Sequence, residues 1–304
     1  ALALKSGNAV ILKGGKEALN SNRVLAGLIR KTLIASNSAP EDSVSLVESR
    51  DEVAELVKMS AELDLIIPRG SNELVQHIQK NAQVPVLGHA DGICHVFLDE
   101  TANEAKSLEV TLDSKLDYPA VCNASETLLV HQNFSDKLLA DILQKLQDAG
   151  VELRVCAETE KRLQNFPQLK LKSAAEEDWK TEYIDLILAV KSVKSAEAAV
   201  QHINHYGSKH TDSIVTENAE LAEWFMNTVD AAGVFWNAST RFSDGFRYGL
   251  GAEVGVSTGK IHARGPVGLD GLVIYKYKLY GNGHGVGRYN NAKRELLHEN
   301  IALD

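Results

Sequence analysis

The chain has 304 residues, enough for about two domains and for a large core without disulfides or metal ions. Its net charge of −9 argues against non-specific nucleic-acid binding, which needs a basic surface. A hydrophobic fraction of 44% excludes a disordered chain, and no apolar run reaches the ~18 residues of a membrane span. The three cysteines, Cys94, Cys122 and Cys156, contain no C-x-x-C pair, so neither a disulfide framework nor a metal site is expected.

Strands and helices alternate along the first 113 residues. The chain opens inside a helical pattern at 1–5, so we expect that its upstream part is not included. Ser71 is predicted to cap the N-terminus of the helix that follows it. This alternation is typical of βαβ units and a parallel, nucleotide-binding type of sheet. The predicted strands cover 8–12, 44–47, 63–67, 84–87 and 93–98, and the predicted helices cover 16–35, 50–60, 72–81 and 103–113.

The same alternation continues after a break at Tyr118-Pro119. Residues 157–182 are polar and acidic and are predicted to be a surface excursion. Residues 233–271 are rich in glycine and carry several arginines, which is typical of loops that approach a ligand. The predicted strands are 128–131, 152–155, 184–190 and 213–216, and the predicted helices are 135–150, 195–206 and 219–232.

Cys122 is the strongest candidate for catalysis. The Pro119 turn presents its thiol just before the next element begins, and the backbone N–H groups that follow can lower its pKa and bind an oxyanion. The alternative is a small buried residue.

Two turns between a predicted strand and a predicted helix are candidate phosphate sites. One is Lys13-Gly14-Gly15-Lys16, and the other is Gly70-Ser71. A helix N-terminus favours an anion at such a place, and the lysines add positive charge. The alternative in both cases is a solvated turn.

Long stretches of the sequence resemble the γ-glutamyl phosphate reductase (glutamate-5-semialdehyde dehydrogenase) family of the aldehyde dehydrogenase superfamily. The stretches are 7–15, 88–95, 118–129, 235–247, 249–255 and 261–269. The resemblance implies an aldehyde-dehydrogenase-like α/β fold. In it, 1–112 is part of a Rossmann-type NADP-binding domain whose N-terminal part is missing, 113–258 is the catalytic domain, and 259–304 is an oligomerisation segment and tail.

The resemblance also implies a reaction: NADPH-dependent reduction of L-glutamyl 5-phosphate to glutamate 5-semialdehyde, with release of phosphate, in proline and ornithine biosynthesis. Cys122 would form a thioacyl intermediate, and Asn123 would help to hold the oxyanion. A hydrolytic aldehyde dehydrogenase is the first alternative. It needs a water-activating Glu, whereas 88–92 reads Gly-His-Ala-Asp-Gly.

The implied cofactor is NADP(H). Lys13, with Gly14 and Gly15, matches the position that contacts the adenosine ribose, and the charge of Lys16 favours a 2′-phosphate. Gly70 and Ser71 would face the pyrophosphate. Glu182 aligns with the carboxylate that holds the nicotinamide ribose.

Charged residues of the glycine-rich loops are the candidate substrate ligands. An arginine fork suits a carboxylate or a phosphate, which makes Arg241, Arg247 and Arg264 candidates. Asp244 or Glu253 would meet the substrate ammonium. For each arginine, the alternative is a structural ion pair.

The tail, 297–300, resembles the extension of the eukaryotic bifunctional Δ1-pyrroline-5-carboxylate synthases. This implies a linked glutamate 5-kinase domain upstream, a homo-oligomer from a dimer to a filament, and a mitochondrial location, with the cytoplasm as the alternative. A catalytically incomplete fragment with an assembly role is the second alternative function.

Overall fold

The computed structural model describes residues 1–290 and 294–299. The helices are α1 Leu2–Lys5, α2 Leu19–Ser36, α3 Arg50–Leu56, α4 Asn72–Asn81, α5 Glu104–Leu116, α6 Asp136–Asp148, α7 Ala157–Arg162, α8 Ala196–Tyr206 and α9 Ala219–Thr228. The strands are β1 Val10–Lys13, β2 Val44–Val47, β3 Cys94–Leu98, β4 Ser125–His131, β5 Glu152–Val155, β6 Leu171–Ser173, β7 Ile187–Val193, β8 Thr211–Val215, β9 Gly233–Trp236, β10 Val256–Ser257 and β11 Gly265–Pro266.

Seven strands form one parallel sheet in the order β6-β5-β7-β4-β3-β8-β9. Because side chains alternate along a strand, Val96 and Leu98 of β3 join the core that includes α5 and α6, whereas Phe97 joins the core of α8 and α9. Helices on both faces explain why β3 and β4 are buried along their whole length. The predicted α/β fold is confirmed.

The N-terminal 92 residues contain a smaller parallel pair, β1 with β2. The predicted cap is confirmed, since Ser71 Oγ accepts a hydrogen bond from the Leu74 N–H at 3.4 Å. The strands predicted at 63–67 and 84–87 are wrong, because only a single bridge joins Ile66 to Val86. Pro68 and Pro85 flank that bridge and lack the N–H that a longer ladder needs.

One further expectation is corrected by the structure. The stretch 157–182 is more than a surface excursion: it holds α7 and the edge strand β6, and Trp179 is buried. The predicted domain boundary between 112 and 113 stays a prediction; these two residues lie within α5. The small parallel pair precedes α4 in the chain, and the large sheet begins with β3.

Residues 273–304 form a separate unit, and its described part carries one 3-10 turn, Val286–Arg288. The oligomerisation role predicted for 259–304 stays a prediction. Residues 291–293 and 300–304, which include Asn300 of the tail resemblance, lie outside the described residues. Within the described ranges, no helix is both long and apolar enough to cross a bilayer.

Candidate active site

The site lies at the amino edge of the large sheet. Cys122 comes three residues before β4, in a turn closed by the Ala124 N–H and the Val121 carbonyl at 3.0 Å. His210 immediately precedes β8, and Glu182 lies on the segment that leads into β7. Since β7, β4, β3 and β8 are neighbours in that order, parallel strands deliver these residues to one place.

Gly92 lies against the backbone of Cys122. A Cβ atom at position 92 would be only 2.3 Å from the Cys122 carbonyl oxygen, so a side chain there must displace the loop. Beneath it, the buried Cys94 Sγ donates a hydrogen bond to the same carbonyl at 3.2 Å. These contacts fix the backbone that carries the Cys122 thiol.

The electrostatic surroundings of Cys122 favour the thiol over the thiolate. Burial raises its pKa to about 11, and the nearby carboxylates of Glu182 and Glu253 act in the same direction. The Arg69 guanidinium opposes them and lowers the pKa. Arg69 is therefore the side chain whose charge favours the nucleophilic form.

Arg69 was missed in the sequence analysis. Its Nη1 lies over the Gly255 backbone, 2.6 Å from where a Cβ would stand. Among the residues that the structure describes, Arg69 forms no ion pair. Its positive charge nevertheless lowers the pKa values of three nearby groups: His89, Cys122 and Glu253. The available signal was a cation between the predicted strand 63–67 and the capped helix, in Pro68-Arg69-Gly70.

Glu182 leads into β7 and its charge reaches Cys122, whereas the role at the nicotinamide ribose that the resemblance implies stays a prediction. Its half-buried carboxylate accepts a hydrogen bond from Asn72 Nδ2 at 3.5 Å, on the first turn of α4. Burial outweighs that amide and the Gly92 backbone N–H, and raises the pKa of Glu182. Gly70, at a φ of 152°, makes the turn into α4.

The first candidate phosphate turn is exposed. Lys13 Nζ donates to the Gly14 carbonyl at 2.7 Å, and Lys16 opens a 3-10 turn, Lys16–Ala18. A Cβ at Gly14 or at Gly15 would run into the neighbouring side chains of Asn22 or Glu17. Lys13 and Lys16 are both exposed, so their ammonium groups are accessible to an anion.

The three candidate arginines all form ion pairs. Arg241 Nε donates to the Asp117 carboxylate at 3.0 Å, and Arg247 reaches the same carboxylate at 3.6 Å. Both tie the 240–247 loop to the segment before Cys122. Arg264 pairs with Asp230 at 3.0 Å. These contacts favour the structural alternative for all three.

The other candidate residues, Asp244, Glu253 and Asn123, form hydrogen bonds with the backbone of the loops. Asp244 Oδ1 accepts from the Phe246 and Arg247 N–H groups and so closes a turn. Glu253 accepts from the Gly245 N–H at 2.9 Å, and burial raises its pKa. Asn123 is buried, and its Nδ2 donates to the Ser243 carbonyl at 2.9 Å. Its role at an oxyanion stays a prediction.

The segment 88–92 supplies no carboxylate that faces the thiol. The Asp91 carboxylate accepts hydrogen bonds from Asn72 and Gln76 of α4. His89 Nδ1 donates to the Val256 carbonyl at 2.7 Å, and burial lowers the pKa of its imidazole. The Asp91 carboxylate is thus engaged by α4, and His89 offers an imidazole in place of the carboxylate of a Glu-type water activator.

A buried ion pair lies behind the Cys122 loop. Lys115 of α5 donates from Nζ to Glu126 Oε2 of β4 at 2.7 Å, and the two side chains are 0% and 1% exposed. Burial raises the pKa of Glu126 to about 7 against the pull of Lys115, and burial lowers the pKa of Lys115. The pair joins α5 to β4, on either side of Cys122.

The aldehyde dehydrogenase family model matches residues 1–164. Gamma-glutamyl phosphate reductase of Acetivibrio thermocellus is 53% identical over 300 residues, which cover 99% of this chain and 68% of that relative. The chain belongs to the gamma-glutamyl phosphate reductases of the aldehyde dehydrogenase family.

Solved structures agree with this membership. The crystal structure of gamma-glutamyl phosphate reductase from Thermotoga maritima matches with a TM-score of 0.89 at 44% identity, over 93% of this chain and 68% of that one. Glyceraldehyde-3-phosphate dehydrogenase GapN from Methanocaldococcus jannaschii, complexed with NADP, matches with a TM-score of 0.63 at 17% identity, over 90% of this chain and 66% of that one. The latter likeness shows the shared fold alone. The family resemblance of the sequence is confirmed.

Proposed function

We propose that the chain carries the catalytic thiol and much of the cofactor cleft of an NADPH-dependent reductase that converts L-glutamyl 5-phosphate to glutamate 5-semialdehyde and phosphate. The observation that supports this most is the setting of Cys122: a thiol whose pKa the Arg69 guanidinium lowers, with no Glu in 88–92 to activate water. That setting suits acyl transfer to sulfur without hydrolysis.

In the first step, the Cys122 thiolate attacks the acyl carbon of the substrate. The carbon–oxygen bond to the phosphate breaks, phosphate leaves with the electron pair, and a thioester forms on Cys122. Backbone N–H groups of the 121–124 turn are suited to hold the oxyanion. Bound NADPH supplies the hydride that reduces the thioester carbonyl. Collapse of the resulting hemithioacetal returns the thiol and releases the aldehyde.

Arg69 is proposed as the cation that stabilises the thiolate and binds the departing phosphate. The supporting fact is that Arg241, Arg247 and Arg264 already hold carboxylates, whereas Arg69 holds none among the described residues. Glu253 suits the substrate ammonium better than Asp244, because its charge reaches Cys122 while Asp244 closes a local turn.

The residues at the cofactor cleft fit a dinucleotide. The N-terminus of the ten-residue helix α4, capped by Ser71, suits a pyrophosphate. Glu182 lies beside that helix and near Cys122, as a carboxylate for the nicotinamide ribose requires. The exposed ammonium groups of Lys13 and Lys16 suit the ribose and its 2′-phosphate.

The test is phosphate release from a stable acyl phosphate analogue in the absence of NADPH, with the whole reductase domain. We expect one phosphate per active site and then a stall until NADPH is added. Repeated turnover without NADPH would contradict the proposal, since water would then be reaching the thioester. The Cys122→Ala variant should release no phosphate.

The larger context is also proposed, from the tail resemblance. We infer a homo-oligomer and a covalently linked kinase domain upstream, in a mitochondrial bifunctional protein. The mass of the native chain, together with its oligomeric mass, tests this. A native chain of reductase size alone would refute the linked kinase.

A further inference from the structure

Three side chains from separate parts of the sequence converge at the amino edge of the sheet. They are His89, Cys122 and His210, and one ring nitrogen of each histidine and the cysteine sulfur all lie within 4.8 Å of one another. The two imidazole rings meet edge to face, with centroids 4.9 Å apart. Neither histidine has a part in the reaction proposed above.

His210 is completely buried, and its Nε2 has no hydrogen-bond partner in the described part of the chain. Its Nδ1 is already engaged with Thr211 Oγ1 at 2.9 Å. A buried polar atom without a partner is unfavourable, so an unpaired imidazole nitrogen at this place calls for a ligand.

His89 is held in the complementary tautomer. A carbonyl oxygen can only accept, so the bond to Val256 places the proton on His89 Nδ1 and leaves Nε2 as a free lone pair. Each ring can therefore present a lone pair on Nε2, which is the form of imidazole that ligates metal ions.

We propose that His89, Cys122 and His210 form a binding site for Zn²⁺, with a solvent molecule as the fourth ligand, and that the bound ion blocks the catalytic thiol. Thiolate and imidazole are the ligands that zinc prefers. A tetrahedral ion with bonds of about 2.0–2.3 Å holds its ligand atoms roughly 3.3–3.7 Å apart. The three ligand atoms lie within 4.8 Å of one another, so closing the cluster to that spacing takes rotation of the half-buried Cys122 side chain toward the imidazoles and a small approach of the two rings.

Formation of the Zn–S bond replaces the S–H bond of Cys122, so one proton passes to the buffer for each ion bound. The charged groups that face the sulfur are Arg69, Glu182 and Glu253, and none of them lies among the ligands. The site thus takes a thiophilic divalent cation in place of the acyl group.

The experiment is titration of the full chain with Zn²⁺ by calorimetry in buffers of different ionisation enthalpy, with Co²⁺ as a spectroscopic probe. We expect one ion and one released proton per chain, and a sulfur-to-cobalt charge-transfer band. Cys122→Ser should abolish the band. His89→Gln should weaken binding more than about 100-fold, beyond the 10–100-fold that loss of a mere supporting partner costs.

Cys156→Ser is the matched control, since Cys156 is also a free, half-buried thiol but lies outside the cluster. It should leave binding unchanged. Unchanged Zn²⁺ affinity in Cys122→Ser or in His89→Gln would overturn the proposal, as would the absence of one-to-one binding. The test uses no variant of the fully buried His210, so a folding defect caused by substitution at that position does not affect the result.

Only the inhibitory part of this inference rests on the proposed function. Zn²⁺ should suppress the phosphate burst, and a chelator should restore it. If Cys122→Ser loses the metal but retains reductase activity, the proposed function fails while the metal site stands. If the burst needs Cys122 but the chain binds no Zn²⁺, the metal site fails alone.

Discussion

The Lys115–Glu126 pair offers a sharp test of how the Cys122 loop is held. In Glu126→Gln, the Lys115 ammonium stays buried without a counter-charge. Breaking a buried pair in this way costs about 3–5 kcal/mol of unfolding free energy. With an m-value of about 3 kcal/mol per M in urea, the unfolding midpoint falls by about 1–1.7 M.

The variant should also acquire a pH dependence. Burial lowers the pKa of Lys115 in the folded state, so between that lowered pKa and the ordinary lysine pKa the unfolded chain binds more protons than the folded one. The stability of Glu126→Gln therefore rises as the pH is raised toward 10, and the gap to the parent protein narrows. Urea unfolding at several pH values, followed by circular dichroism, measures both effects.

Two comparisons decide the matter. The double variant Lys115→Met with Glu126→Leu removes both charges and should be close to the parent or more stable. Glu217→Gln breaks the exposed Lys106–Glu217 pair, whose side chains are 45% and 47% exposed, and should leave the midpoint unchanged. If Glu126→Gln behaves like Glu217→Gln, or if the double variant is as unstable as the single one, burial is not the cause.

Three other predictions concern the reaction. Cys122→Ala should abolish reduction while Cys156→Ser retains it, measured by NADPH consumption; equal losses would refute the assignment of the nucleophile. Arg69→Gln should raise the pKa of Cys122 further and slow its alkylation by iodoacetamide at pH 8, and an unchanged rate would show that Arg69 does not influence the thiol. Lys16→Glu should raise the KM for NADPH far more than the KM for NADH, because the lost charge-assisted bond to the 2′-phosphate is worth about 1–3 kcal/mol. An unchanged ratio of the two KM values would show that another group binds the 2′-phosphate.

Local signals predicted much of the fold. The bounds of β2, β5 and α4 agree with expectation, because β-branched residues, a Ser cap and short turns act within a few residues. The polar edge strand β6 escaped notice because an edge strand needs little apolar character. Pro68 and Pro85 limit the segments 63–67 and 84–87 to a single bridge. This limit depends on how the two segments pair, so neither segment reveals it alone.

The site shows the same division. The context of Cys122 is local and could be read directly, and Glu182 came from the family resemblance. Whether an arginine is free or paired depends on carboxylates far away in sequence, as Asp117 is from Arg241. Arg69 and the three paired arginines could therefore not be distinguished before the fold was known.

The strand order has a consequence for synthesis of the chain. After β4 the polypeptide moves on to β5 and leaves between them a gap that β7 fills, since β7 pairs with both. Until β7 has left the ribosome, the facing edges of β4 and β5 carry unpaired N–H and C=O groups, and β4 includes the apolar run Leu128-Leu129-Val130. A nascent chain paused between 156 and 187 is thus open to pairing with other chains, and the speed of translation through that interval helps to decide the yield of folded protein.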